Sequence, residues 1–272
     1  MNASASPPTF VPRDYWSTSI SAATSEHLLL RGYPLAEVIE SLTFTQGVFL
    51  TLTGRIPNHS ETTMFDALLN ALLDHQFVSA TVPAARYVAS GNPQVVPAAA
   101  AGILSAGANT LSPEDSANFI RAAVASAVSD STQDIESAAA AAVSERRAGG
   151  ARIPGLGHPL YKTADPRARA LLLIAEREGF GGPNVRMVKA IHEAFQRESG
   201  KTVALNVDGM MSAIMLEMGL SPRQMIAVNL LSYMPGIMAH SIEEIEAGVP
   251  LRTIPDALAS YTGEPLRHLG ES

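Results

Sequence analysis

The sequence predicts an all-α fold, and three observations carry that prediction. Apolar residues recur at helical spacing along the chain, alternating Val, Ile and Thr strands between tight turns are scarce, and Gly- and Pro-rich breaks leave segments of helical length between them. The clearest breaks are Gly32 to Pro34, Thr53 to Pro57, Gly91 to Pro93 and Gly107 to Pro113. The stretch from Ser112 to Gly150 is rich in Ala, Ser, Asp and Glu and ends in Arg146-Arg147 before Gly149-Gly150, which suits one or two closely packed helices with basic residues complementing the last turn. Val207, Met210, Met211, Ile214, Met215 and Met218 form one apolar stripe that ends before Gly219, and Asn206 and Asp208 stand at its start, where short polar side chains satisfy free backbone N–H groups. Ser221-Pro222 opens a further helix, which Pro235-Gly236 is expected to interrupt. No internal repeat and no long linker is present.

Composition narrows the function. With 272 residues the chain suits a principal domain with a smaller one inserted or appended, and 46% hydrophobic against 17% charged residues can fill a sizeable core. No uninterrupted apolar run approaches the roughly 18 to 20 residues that span a bilayer, and Met1 to Phe10 lacks the pattern of a signal peptide. The expectation is therefore a cytoplasmic protein with no membrane partner. The absence of cysteine excludes disulfides, thiolate metal sites and cysteine nucleophiles. A net charge of −7 argues against a nucleic-acid partner, so any anionic ligand must be held by a few placed Arg, Lys or His side chains.

The segment Pro154-Gly-Leu-Gly-His-Pro-Leu-Tyr-Lys-Thr-Ala-Asp-Pro-Arg167 carries the most chemistry. Gly155 and Gly157 let a backbone approach a ligand closely, His158 follows in a turn stiffened by Pro159, and Arg167 offers a planar donor fork for a carboxylate or phosphate. From composition alone His158 is more often a surface or core histidine, and Asp208 more often a helix cap than a base.

Gly157-His158, Tyr161-Lys162 and Asp165-Pro166-Arg167 resemble the signature loop of citrate synthases, citryl-CoA lyases and the C-terminal module of ATP-citrate lyase. Asn206-Val207-Asp208-Gly209 follows at the spacing the family requires, with Asp208 at the family's catalytic aspartate. Ser17 to Ser21, Arg31-Gly32-Tyr33-Pro34 with Glu37 to Ile39, Asp74-His75 with Ser79, Pro235 to His240 with Glu243-Glu244, Pro250-Leu251-Arg252 and Tyr261-Thr262-Gly263 resemble the lyase branch, as does the short length. The resemblance implies a large helical domain over 1–111 and 201–272, a smaller helical domain over 112–200, an active site in the cleft, and a homodimer or higher homo-oligomer. It also implies carbon–carbon bond chemistry next to a CoA thioester, the substrate, with no metal and no bound cofactor.

In that chemistry a weakly acidic thioester α-proton needs a placed base and donors for the developing enolate or alkoxide oxygen. The resemblance gives Asp208 and His158 the catalytic roles. It gives His75, Arg167 and Arg252 the carboxylates and oxygen functions of oxaloacetate or a citryl group, and Gly155, Gly157 and Lys162 the CoA. Two positions depart from the family. Thr110, with Asn109 beside it, stands where citrate synthases have a histidine for the thioester oxygen, a change that ATP-citrate lyase modules share; Leu111-Ser112-Pro113 replaces the usual Gly-Gly-Ala. Tyr233 stands where the family commonly has an Arg, and losing such a carboxylate partner costs on the order of 2 to 5 kcal/mol in binding. The resulting expectation is cleavage of citryl-CoA, or of a related 3-hydroxyacyl-CoA with fewer carboxylates, to acetyl-CoA and an oxo acid. The alternatives are a citrate-synthase-like Claisen condensation and a catalytically silent CoA-binding or regulatory protein.

Other signals read as structural. His240 with Glu243 and Glu244 lacks an HExxH pattern, so no metal site is expected there. His27, His59, His192 and His268 read as solvated, and the ten methionines as core filler. Arg86 and Arg152 are weaker candidates than Lys162 for CoA phosphates.

Overall fold

The computed structural model describes residues 16–107, 110, 113–129 and 134–269; Asn109 and the Leu111-Ser112 pair lie outside them. Described in chain order, the protein begins with a small antiparallel sheet, β1 Ser21–Ala23, β2 Leu28–Leu30 and β3 Tyr33–Pro34, and is otherwise helical. The helices are α1 Leu35–Ser41, α2 Phe44–Thr53, α3 His59–Asn70, α4 Thr81–Gly91, α5 Val95–Leu104, α6 Pro113–Ser129, α7 Ile135–Ala148, α8 Pro166–Glu178, α9 Pro183–Ser199, α10 Val207–Glu217 and α11 Pro222–Glu246. Short 3-10 turns lie at Gln76–Val78 and Asp256–Leu258. The all-α class is therefore as expected, with the three short strands the one addition.

The chain forms two compact units, Met1–Leu72 with Ser112–Ser232, and Leu73–Leu111 with Tyr233–Ser272. In the first, local sequence sets most helix ends. Asn58 and Glu61 form a reciprocal capping box at α3, Asp165 caps α8 ahead of Pro166, Pro183 opens α9, and Gly54, Gly179 and Gly200 end α2, α8 and α9 in the left-handed conformation. The sheet is pinned by Arg31, whose Nε and Nη2 donate to the Thr51 carbonyl of α2 at 3.1 and 2.8 Å.

The core of this unit is α10, which packs against α6, α8 and α9. Its apolar positions were expected on one stripe, but Val207 and every residue from Gly209 to Met215 are buried, so the helix is enclosed on nearly all sides. Ala213 and Ser212 account for the difference: small side chains on the faces away from the methionines let neighbouring helices close in, and Ser212 Oγ donates to the Pro113 carbonyl at 3.1 Å. Met210, Met211, Ile214 and Met215 are almost completely buried, each contributing about 1.5 to 3 kcal/mol of hydrophobic free energy. The methionines of α10 are thus core filler.

In the second unit α4 and α5 pack closely, because Ala85, Ala89, Ala98 and Gly102 present almost no side chain between them. The expected break at Pro235-Gly236 does not occur, since α11 runs unbroken through Pro235. A proline removes one hydrogen bond without ending a helix when packing holds the flanking turns. Gly236 supplies that packing: a Cβ there would overlap the Leu73 carbonyl oxygen and come within 3.0 Å of Asp74 Cα. By length and composition alone α11 also passes as a bilayer-spanning helix, which the uninterrupted-run criterion missed; its buried Asn229, Ser232, Ser241 and Glu244 are polar positions of a protein core.

Gly236→Ala is expected to lower stability by roughly 1 to 3 kcal/mol, because both colliding groups are backbone and cannot swing aside. Urea denaturation of the variant checks this, and an unchanged midpoint would contradict the close approach.

Candidate active site

The loop from Pro154 to Asp165 and the start of α10 are built on each other. Gly157 N–H donates to the Ala204 carbonyl at 2.7 Å, Asn206 N–H to the Gly155 carbonyl at 2.9 Å, and the Asn206 side-chain amide to the Gly157 carbonyl at 2.8 Å. Asn206 Oδ1 meanwhile accepts from Gly209 N–H and caps α10. The cap is therefore Asn206 alone, and Asp208 sits inside the first turn with its carboxylate left for other work. Gly155, at φ +80°, closely approaches Gly209, whose Cα would lie 2.7 Å from a Cβ on Gly155, and it also lines the cavity described below. Gly157, at φ +86°, has open space where its side chain would be.

Asp165 holds this assembly together. It is buried, and its carboxylate accepts from Arg167 N–H and Nε at 3.0 Å each, from Arg167 Nη2 at 2.9 Å, and from Val207 N–H at 3.0 Å. One carboxylate thus caps α8, grips the guanidinium and reaches the first turn of α10. Burial alone would push its pKa up, but the bonds and charge of Arg167 and the Val207 amide outweigh that and hold it below the ordinary aspartate value. Asp165 and Asn206 were quoted in the motifs without a site role. The Asp-Pro-Arg order, a cap followed by Pro at the first helical position, was the available signal for Asp165.

His158 is aimed by the same loop. Its Nδ1 accepts from the Leu160 and Tyr161 amides at 3.1 and 3.2 Å, so the neutral ring carries its proton on Nε2. That nitrogen lies 3.2 Å from Nη2 of Arg167. The imidazole and the guanidinium therefore stand side by side at one place in the site. Desolvation by burial, then the positive charge of Arg167, lowers the His158 pKa and favours the neutral form. Tyr161 backs both groups, stacked on His158 with ring centroids 4.7 Å apart and lying under the Arg167 guanidinium at 5.6 Å.

Asp208 retains partial solvent access, but protein densely surrounds its carboxyl. Desolvation raises its pKa from 3.8 to about 6; Arg167 opposes the rise and Asp165 adds to it. Three expected residues, Asp208, His158 and Arg167, therefore share one electrostatic environment.

A cavity of about 730 Å³ is lined by Arg147, Arg152, Gly155, Gly157, His158 and Phe195 among others; of the three residues above, His158 alone lines it. Arg147 lies over the Phe195 ring at 5.6 Å and pairs with Glu198 at 2.6 Å. Lys162 does not line this cavity; its Nζ donates to the Pro159 carbonyl at 2.6 Å.

Within the second unit His75, Thr110 and Tyr233 come together. The His75 and Tyr233 rings meet edge-on at 5.7 Å, and the Tyr233 hydroxyl donates to the Thr110 carbonyl at 3.4 Å. Arg252 is ion-paired to buried Glu244, and Arg86 is held by Glu243 and Glu244, which makes Arg86 a structural cation, not a free phosphate ligand. His192 is half-buried with Nε2 2.7 Å from the Val203 carbonyl, which corrects its reading as a solvated residue. Among the described residues no group of three or more His, Asp or Glu side chains is placed to hold a metal ion.

Residues 59–253 match the citrate synthase C-terminal domain. The citrate synthase of Haloferax volcanii is 28% identical over 86% of this chain, which spans 59% of that relative's length. The citryl-CoA lyase of Hydrogenobacter thermophilus superposes with a TM-score of 0.85 at 33% identity, covering 94% of this chain and 97% of that one. An ATP citrate lyase from Methanothrix soehngenii, solved with citrate and coenzyme A, shares the fold at a TM-score of 0.77 and 19% identity, over 96% of this chain and 43% of its own. The chain belongs to the citrate synthase family. Its likeness to a citryl-CoA lyase extends over nearly the full length of both chains.

The raised pKa of Asp208 has a stability consequence. Its folded value lies above the unfolded one, so stability is fully present below pH 3.8 and is lost as the pH rises through about 6. Replacing Asp208 by Asn removes that ionisation and is expected to stabilise the fold at pH 7.5 by on the order of 3 kcal/mol, with the advantage vanishing below pH 4. Denaturation curves at the two pH values check this; no gain at pH 7.5 would contradict a desolvated carboxylate.

Proposed function

We propose that the protein is a citryl-CoA lyase-like enzyme that cleaves citryl-CoA, or a related 3-hydroxyacyl-CoA, to acetyl-CoA and an oxo acid such as oxaloacetate. The observation that carries this reading is the pairing of His158 Nε2 with Arg167 Nη2, 3.2 Å apart, in the electrostatic field of a carboxyl whose pKa is about 6. Cleavage requires the tertiary hydroxyl to give its proton to solvent and become an alkoxide, which His158 and Arg167 stabilise by hydrogen bonding and charge. Collapse of the alkoxide to a ketone breaks the carbon–carbon bond and leaves the thioester enolate. Asp208, in its acid form, then gives the enolate carbon its proton. Condensation is the same path reversed, with ionised Asp208 removing a proton from the acyl-CoA methyl group.

In this reading the cavity beside Gly155, Gly157 and His158 receives the CoA thioester, with Arg147 and Arg152 as its cations. The citrate and coenzyme A held by the Methanothrix protein support a ligand of that class. His75 and Arg252 bind substrate carboxylates and oxygen functions, and the segment of Asn109 and Thr110 is assigned to the thioester oxygen by the family resemblance. Tyr233 favours an electrophile with one carboxylate fewer at its position, because a phenol offers one neutral donor where a guanidinium offers a charged fork. A smaller domain over 112–200, a larger one over the remainder, and a homodimer or higher homo-oligomer go with this assignment.

The test is incubation with citryl-CoA, following acetyl-CoA and oxaloacetate by mass spectrometry. Asp208→Ala is expected to reduce cleavage by roughly 10²- to 10⁴-fold. Because the overall reaction neither releases nor consumes a proton, cleavage and condensation should share one pH profile, with a limb near 6 where Asp208 titrates. A folded, CoA-binding protein that leaves citryl-CoA intact would move the assignment to another 3-hydroxyacyl-CoA.

A further inference from the structure

Of the non-glycine residues described, Arg31, Gln76 and Leu251 have left-handed backbones, at φ +50°, +51° and +49°. Two of them adjoin residues assigned above to the substrate: Gln76 follows His75, and Leu251 precedes Arg252. Such conformations persist only where surrounding contacts enforce them, and here the contacts form one continuous chain.

At the first end, Asp74 Oδ1 accepts from Gln76 N–H at 3.0 Å, closing the turn that carries His75. The same oxygen lies 3.1 Å from Nε2 of His240, and Nδ1 of that ring lies 3.2 Å from Nη1 of Arg86. Arginine only donates, so Nδ1 accepts and the ring proton sits on Nε2, directed at Asp74. Arg86 continues the chain, pairing with Glu243 and, through Nε at 2.6 Å, with Glu244. Glu244 is 1% exposed and grips Arg252 through Nε and, at 3.0 Å, Nη2. At the far end Leu251 N–H donates to the Ser90 carbonyl and Arg252 N–H to Ser90 Oγ, each at 3.0 Å. Phe77 braces the middle, tilted against His240 at 5.8 Å and beneath the Arg86 guanidinium at 5.6 Å.

We propose that Arg86 and His240 are positioning residues that hold His75 and Arg252, through Asp74 and Glu244, in one fixed frame for the carboxylate-bearing part of the substrate. The assignment rests on the reading of His75 and Arg252 as substrate ligands. Neither Arg86 nor His240 touches the reacting atoms; each acts through the residue it holds. Surface ion pairs contribute little to a fold, but a buried carboxylate shared between two guanidinium groups fixes geometry on both sides. A disturbance at Arg86 is therefore felt at both turns.

The test uses the full chain with three variants: His240→Leu, His240→Gln, whose side-chain amide reaches the place of Nε2 and can donate to Asp74, and Arg86→Lys, which keeps a cation beside Glu244 but loses the fork. Two readouts are combined, backbone hydrogen exchange over residues 73–80 and 249–254, and KM, kcat and CoA affinity with citryl-CoA. His240→Leu should speed exchange at the Gln76 amide and raise KM, each roughly tenfold, while kcat changes less than about threefold and CoA affinity is unchanged; His240→Gln should restore most of both. Arg86→Lys should speed exchange at both turns. Exchange that stays at the wild-type rate in His240→Leu, or that changes at only one turn in Arg86→Lys, overturns the proposal, as does an equal loss of KM and CoA affinity. If the wild-type protein does not cleave citryl-CoA, the assigned reaction fails, while the exchange measurements still decide the positioning frame.

Discussion

The arrangement of the candidate site depends on one buried carboxylate. Asp165 accepts four hydrogen bonds from two places distant in sequence, the start of α8 and the start of α10. Through Arg167 it fixes the donor beside His158, and through Val207 it fixes the turn that carries Asp208. Satisfied this fully, a buried charge specifies a geometry; with one partner removed it would cost on the order of 3 to 5 kcal/mol. The close approach of Gly155 to Gly209 belongs to the same junction, since no side chain intervenes between the two backbones.

That junction also separates the two aspartates chemically. Asp165 keeps its charge because its donors outweigh burial, whereas Asp208 receives no hydrogen bond to its carboxylate among the described residues, and desolvation dominates. Two carboxyl groups in one environment thus acquire different proton affinities, a division of labour typical of acid–base sites. His158 completes the set: two backbone amides fix its tautomer, and burial with Arg167 keeps it neutral. The fold stores the cost of a desolvated Asp208 and offsets it with the enclosed α10 core.

Much of this was legible in the sequence. The helical class followed from periodicity, the start of α10 from Asn206, and the two chemical segments from their resemblance to one family. What escaped had tertiary causes. Pro235 reads locally as a helix breaker, yet the Leu73–Asp74 backbone packed against Gly236 keeps α11 continuous. Gly155 packs closely against Gly209, a contact that no spacing rule reveals. His192 read as solvated and Arg86 as a weak candidate for CoA phosphates, but their partners, the Val203 carbonyl and the Glu243–Glu244 pair, are 11 residues and more than 150 residues away. Asp165 was visible as a helix cap; its bond to Val207 spans 42 residues.

The most direct test of this account is the pH dependence of citryl-CoA cleavage by Asp165→Asn beside the wild-type enzyme. Removing that charge takes away an anion that raises the Asp208 pKa and loosens the grip on Arg167, so the account predicts a slower reaction whose Asp208 limb moves below the wild-type value of about 6. A variant with wild-type rate and an unmoved limb would show that Asp165 organises neither His158 with Arg167 nor Asp208, and would contradict the account.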